Sequence, residues 1–134
     1  MIRNKFISYL SILLFVITIS SCNSEKDKLR YELVSSIPVE CKINYTDSKC
    51  QPVNENFNGT QWTYEGEIEF VNSKQGHSFG LSCEALGSSP YTVTLKLYRG
   101  QNILDEVTVN NREPMPSSPT LYRASASVKT FMEH

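Results

Sequence analysis

The sequence predicts an all-β domain, a sandwich of about seven strands. Three observations predict it. Apolar residues recur at every second position in stretch after stretch. Clusters of Gly, Pro, Asn, Asp and Ser separate those stretches. Beyond the N-terminal segment, no run carries a convincing helical period. The clearest stretch is QWTYEGEIEF. Trp62, Tyr64, Gly66, Ile68 and Phe70 fall on one side, and Thr63, Glu65, Glu67 and Glu69 on the other. On a helix this alternation would put glutamates in the core.

The chain begins MIRNKFISYLSILLFVITISSCNSEKDK. Arg3 and Lys5 precede an apolar core over residues 6–19, which Ser8, Tyr9, Ser11 and Thr18 interrupt. A spanning helix wants about 20 mostly apolar residues, so this run is short for one. It has the pattern of an export signal. Ile19-Ser20-Ser21-Cys22 resembles the bacterial lipoprotein box: branched apolar, small, small, cysteine. The reading is a signal peptide over residues 1–21 and a lipid-modified Cys22 at the mature N-terminus. The alternatives are a plain anchor or an ordinary secretory signal. Residues 22–28 then form a polar tether, 29–130 the β domain and 131–134 a tail.

Leu29, Tyr31 and Leu33 open the alternation. Ile37-Pro38 interrupts it, and Val39, Cys41, Ile43 and Tyr45 resume it against Glu40, Lys42 and Asn44. Thr46-Asp47-Ser48-Lys49 is a turn signal. QPVNENFNGT has no period and reads as a long connection or a weak edge strand with a loop. The Trp62 strand follows, and residues 72–76 turn. Phe79, Leu81, Cys83 and Ala85 make the next inward row, closed by Gly87-Ser88-Ser89-Pro90. Tyr91, Val93, Leu95 and Leu97 make another, and Arg99-Gly100-Gln101-Asn102 is a hairpin turn into residues 103–109. NNREPMPSSP holds three prolines and reads as a loop. The last strand spans residues 121–128, with Tyr122, Ala124, Ala126 and Val128 on one side. A single sheet of seven strands would leave a wide apolar face open to water, whereas two facing sheets bury both. An immunoglobulin-like or transthyretin-like sandwich fits this pattern best, with a closed small barrel as the alternative.

Several of these stretches together resemble the MmpS family of membrane-associated accessory proteins. They are residues 39–45 with their polar turn, Gln61-Trp62, and LSCEALGSSPYTVTLKLYRGQ. The nearer likeness is to small secreted relatives from gut Bacteroidetes. The matching places are Tyr45, Trp62, residues 81–84 and residues 93–101. The resemblance covers roughly residues 30–128 and implies an extracytoplasmic β-sandwich. Family members that work with mycobacterial lipid exporters assist transport of glycolipids or siderophores. Those members keep a transmembrane helix where this chain has its lipoprotein-like box, and Cys83 stands where relatives carry a small residue.

Composition narrows the function classes. Removing residues 1–21 leaves 113 residues, one ordinary domain. It also removes Arg3 and Lys5, leaving 11 basic against 14 acidic residues and a formal charge of −3. A nucleic-acid face needs concentrated basic residues, which this chain lacks. Cys41, Cys50 and Cys83 remain, so one disulfide can form with one thiol left over. Cys41 and Cys83 lie on inward rows and are the expected pair; Cys41–Cys50 is the alternative, as is a set of free thiols. Without CxxC, a redox motif or zinc ribbon has no support.

Candidate chemistry is sparse. Trp62 reads as a core plug, with ligand stacking as the alternative. Glu65, Glu67 and Glu69 read as a solvated stripe that could hold a cation loosely. His77 lies in a turn and His134 at the terminus. The sequence contains no GxSxG, no HExxH and no phosphate-cradling glycine loop. Asn44-Tyr45-Thr46 and Asn58-Gly59-Thr60 match a glycosylation pattern that usually carries no sugar in bacteria. No catalytic set, metal site or cofactor is expected. The expectation is a non-enzymatic lipoprotein of the bacterial envelope, anchored at the outer membrane and facing either side. It would bind a protein or surface partner through an edge strand or through loops 51–60 and 110–119, the second carrying Arg112 and Glu113. The alternative is an accessory or carrier for export or for a small apolar ligand.

Overall fold

The computed structural model describes residues 27–70 and 76–133. The expected signal peptide, Cys22 and His134 lie outside the described residues. The described residues form six strands: β1 (Lys28–Thr46), β2 (Pro52–Glu67), β3 (His77–Gly87), β4 (Tyr91–Arg99), β5 (Asn102–Asn111) and β6 (Tyr122–Met132). All pairings are antiparallel, in the order β5-β4-β1-β3-β6, with β2 also on β1. The result is an all-β, nearly closed barrel-like sheet.

The strand count is six because the two expected first strands are one. Residues 29–33 and 39–45 both belong to β1, which bends between them. Val34 pairs with Gln61 and Val39 with Gly59, so residues 35–38 stand opposite Thr60 alone. Pro38 has no N–H to lose there, which suits a bulge. Gly59 answers the bend from β2 with φ +143°, and a Cβ there would meet the Phe57 ring at 3.1 Å. Residues 51–60, expected as a long connection or a weak edge strand with a loop, are strand from Pro52 onward and supply the first half of β2, which pairs with β1 alone.

The bend gives β1 different partners along its length. β2 follows both halves. β4 pairs with residues 29–35 and β3 with residues 40–45. β5 extends the first half through β4, and β6 the second through β3. The two half-sheets face each other across one core. β1 contributes Leu29, Tyr31, Leu33, Cys41 and Ile43; β3 contributes Phe79 and Leu81; β4 contributes Val93, Leu95 and Leu97. Each of these is under a tenth exposed. The inward rows read from the sequence on β1, β3, β4 and β6 supply the core, whereas of the Trp62 row only Trp62 is buried, and β2 ends at Glu67, before Ile68 and Phe70.

β5 and β6, the ends of the path, meet along a seam with side-chain bridges. Asp105 accepts the Lys129 N–H at 2.9 Å, and the Asn111 amide donates to the Arg123 carbonyl. At the bend end of the seam, the buried Tyr91 hydroxyl lies 2.8 Å from the Ala85 carbonyl and 2.9 Å from that of Tyr122. The β1–β2 tip is held by Asp47, whose carboxylate accepts the N–H groups of Lys49 and Gln51, each at 2.9 Å. Gly100, with φ +61°, makes the β4–β5 turn expected from the sequence.

The expected disulfide does not form: Cys41, Cys50 and Cys83 are free thiols. Register explains it. Cys41 pairs with Ala85, and Ile43 with Cys83, so the two thiols are diagonal neighbours on one face. Diagonal positions lie about 7–8 Å apart, beyond the roughly 7 Å reach of a disulfide. Cys50 sits at the hairpin tip with its thiol against the Glu69 carbonyl at 3.5 Å.

Candidate functional site: a polar trough on the outer face

The second half-sheet turns a polar face outward, and that face is hollow. Opposite each buried residue of β1, β2, β3 and β6 stands an outward one, because side chains alternate. The register places them in rows. Asn56 lies beside Lys42, Lys42 beside Glu84, and Glu84 beside Ser125. In the next row Asn54 lies beside Asn44, Asn44 beside Ser82, and Ser82 beside Ser127. Short Asn and Ser side chains leave space above the sheet, a trough of about 590 Å³. Two hollows adjoin it: one of about 340 Å³ towards Thr46 and Lys129, and one of about 370 Å³ towards Glu40, Asn58 and Arg123.

A second polar feature lies inside the bend. Tyr45 stacks near Trp62 and Tyr64 at centroid distances of 5.2 and 4.9 Å, and Tyr31 lies 5.8 Å from Tyr45. Glu55 accepts the Trp62 indole N–H at 3.3 Å and the Tyr45 hydroxyl at 3.4 Å. Tyr31 donates to the Thr46 carbonyl, and the Tyr64 hydroxyl ties to Ser48. These rings touch each other, so no slot remains between them for a flat ligand. Trp62 is 8% exposed and belongs to the core cluster.

Burial decides the chemistry of the interior groups. It pushes the Cys41 thiol up to about 12, with the neighbouring Cys83 adding to the rise. Cys83 and Tyr91 are raised by the same desolvation, and so is Tyr31. Tyr45 is pushed up to about 12 by burial and then by the Glu55 carboxylate. These thiols and phenols stay protonated at neutral pH, and a protonated thiol is a poor nucleophile.

The other sequence candidates are scattered. Arg112 and Glu113 are exposed in the β5–β6 loop, where the Glu113 N–H reaches Asn111 at 3.3 Å. That loop is braced by backbone bonds among Met115, Ser118 and Leu121. Glu65 pairs with Lys28 at 3.0 Å on the first half-sheet's outer face, and Glu67 and Glu69 are exposed. The His77 ring Nδ1 lies 2.8 Å from the Ser78 carbonyl, to which it donates when protonated. Among the described residues, no group of three or more His, Cys, Asp or Glu could hold a metal ion, and no helix is long and apolar enough to cross a membrane. Apart from Asn44, which opens the Asn44-Tyr45-Thr46 glycosylation pattern, the trough residues Asn54, Asn56, Ser82, Glu84, Ser125 and Ser127 carry no motif. Their signal is the run of short polar outward positions on four strands.

Comparison with family models, with curated proteins and with solved structures finds no match to this chain.

Proposed function

We propose that this chain is a non-enzymatic, lipid-anchored envelope protein whose β domain binds its partner in the outer trough. The carrying observation is the 590 Å³ hollow above a sheet whose two central strands, β1 and β3, are paired on both edges. Its polar side chains are turned to solvent. The lipoprotein-like box at Cys22 and the polar tether behind it support a domain held close to a membrane. The interior offers a small apolar ligand little room, since large side chains fill it. An accessory role of the kind the MmpS resemblance implies would therefore use this outer face as well.

Capture from envelope material tests the reading. The mature chain, immobilised, is exposed separately to protein, polysaccharide and lipid-vesicle fractions of the envelope. Ser82→Trp fills the trough from an outward position and is compared with the wild type. One fraction should bind the wild type and lose most of that binding with Ser82→Trp, with circular dichroism unchanged. Equal binding by both proteins would contradict the proposal.

A further inference from the structure

We propose that the trough takes a neutral, extended, polyhydroxylated chain, an oligosaccharide segment; this rests on the binding-module reading above. Shape is the first argument. The central hollow shares Asn44 and Asn54 with the hollow on one side, and Lys42 and Glu84 with the hollow on the other. The three form one channel along β1 from Thr46 to Glu40. Six residue steps at about 3.3 Å make it about 20 Å long. A linear chain fits such a channel better than a compact metabolite does.

Chemistry is the second argument. The floor presents Asn44, Asn54, Asn56, Ser82, Ser125 and Ser127. Each amide both donates and accepts, and each hydroxyl does the same. Sugar hydroxyls have the same double character. None of these six side chains spends its capacity on a hydrogen bond to another described residue.

Charge and polarity choose among the ligands. Lys42 stands beside Glu84, and Glu40 and Arg123 flank Leu86 in the neighbouring row. Glu55 and Lys129 also line the hollows, so three carboxylates face three cations and the channel offers no net attraction to an anion or a cation. A protein partner anchors through aromatic and other large apolar side chains in desolvated pockets. Here the floor is amide and hydroxyl. A peptide strand would need a free sheet edge for its backbone. The trough lies over the face of β1 and β3, each paired on both sides, so a strand added at the outer edge of β2 or β6 would lie beside the trough and not in it.

The test is an NMR titration of the mature, isotope-labelled chain. The neutral probes are cellohexaose, maltohexaose and laminarihexaose. Trigalacturonate is the acidic probe and a Ser/Gly peptide the protein-like one. At least one neutral hexaose should shift the side-chain amides of Asn44, Asn54 and Asn56. Combined Asn54→Ala and Asn56→Ala should weaken its binding about tenfold or more, a change of about 1.4 kcal/mol. Ser125→Trp, which blocks the channel while keeping the amides, should give the same loss. Thr94→Ala, on the outer face of the other half-sheet, should leave binding unchanged. No shift with any neutral hexaose, or shifts only with trigalacturonate or the peptide, would overturn the proposal. Trough-dependent capture of an envelope protein, with no response to the hexaoses, would leave the binding-module reading standing and overturn this one.

Discussion

Tyr91→Phe tests how the nearly closed sheet is held together. Tyr91 is 4% exposed, and its hydroxyl sits between the carbonyls of Ala85 in β3 and Tyr122 at the start of β6. Its single proton is shared between them, at 2.8 and 2.9 Å. Phenylalanine keeps the ring and therefore opens no large cavity. It removes a bond whose net value is about 1 kcal/mol, and leaves buried carbonyl capacity unmet at about 1–3 kcal/mol. A loss of about 2 kcal/mol is expected, a visible part of a total near 5–15 kcal/mol. Urea unfolding followed by Trp62 fluorescence is the assay, since Trp62 is the sole tryptophan and lies in the core. With a slope of about 1–3 kcal/mol per molar urea, the midpoint should fall by about 1 M at constant slope. Thr94→Val removes an exposed hydroxyl contact to Thr108 and should move the midpoint little. A Tyr91→Phe protein within about 0.5 kcal/mol of wild type would refute the idea that this hydroxyl locks β3 and β6 at the bend.

The remaining predictions concern thiols, pH and processing. A thiol reagent should modify Cys50 in the native protein and reach Cys41 and Cys83 only on unfolding, because those two are buried; equal rates at all three would contradict the core placement. Stability should fall in alkali. Tyr31, Cys41, Tyr45, Cys83 and Tyr91 all have raised pKa values, so the folded state keeps protons that the unfolded chain releases. Their contribution is complete below the unfolded values, about 8.5 for Cys and 10 for Tyr, and is lost as pH rises towards the folded values. Urea midpoints should be flat from about pH 6 to 8 and drop above about pH 9; a midpoint unchanged at about pH 11 would contradict this. Mass spectrometry of membrane-extracted protein should find an acylated N-terminal Cys22, and a soluble unmodified product would sink the lipoprotein reading.

The core was legible because it depends on parity alone. Leu29, Tyr31 and Leu33 share a side with Cys41 and Ile43 whether or not a break separates them. Pro38 looked like that break; it is a bulge within one long strand, since β2 carries the pairing past it. The segment Asn54-Glu55-Asn56 lacks the branched and aromatic residues that mark strands. It is extended because the β1–β2 hairpin continues through it, a tertiary effect that local composition does not carry. Cys41 and Cys83 were correctly placed inward, but a sequence without register cannot show that they miss each other by one pair. The trough has the same character. Asn44, Ser82 and Ser127 look like ordinary outward residues until the ladder sets them side by side.

On the proposed function, the partner sits on the outer face of the second half-sheet. Site-specific photo-crosslinking in the native host tests it most directly, with a benzophenone side chain at Ser125 in the trough or at Thr94 on the opposite outer face. A discrete adduct is expected from Ser125 and none from Thr94. An adduct from Thr94 with none from Ser125 would contradict it.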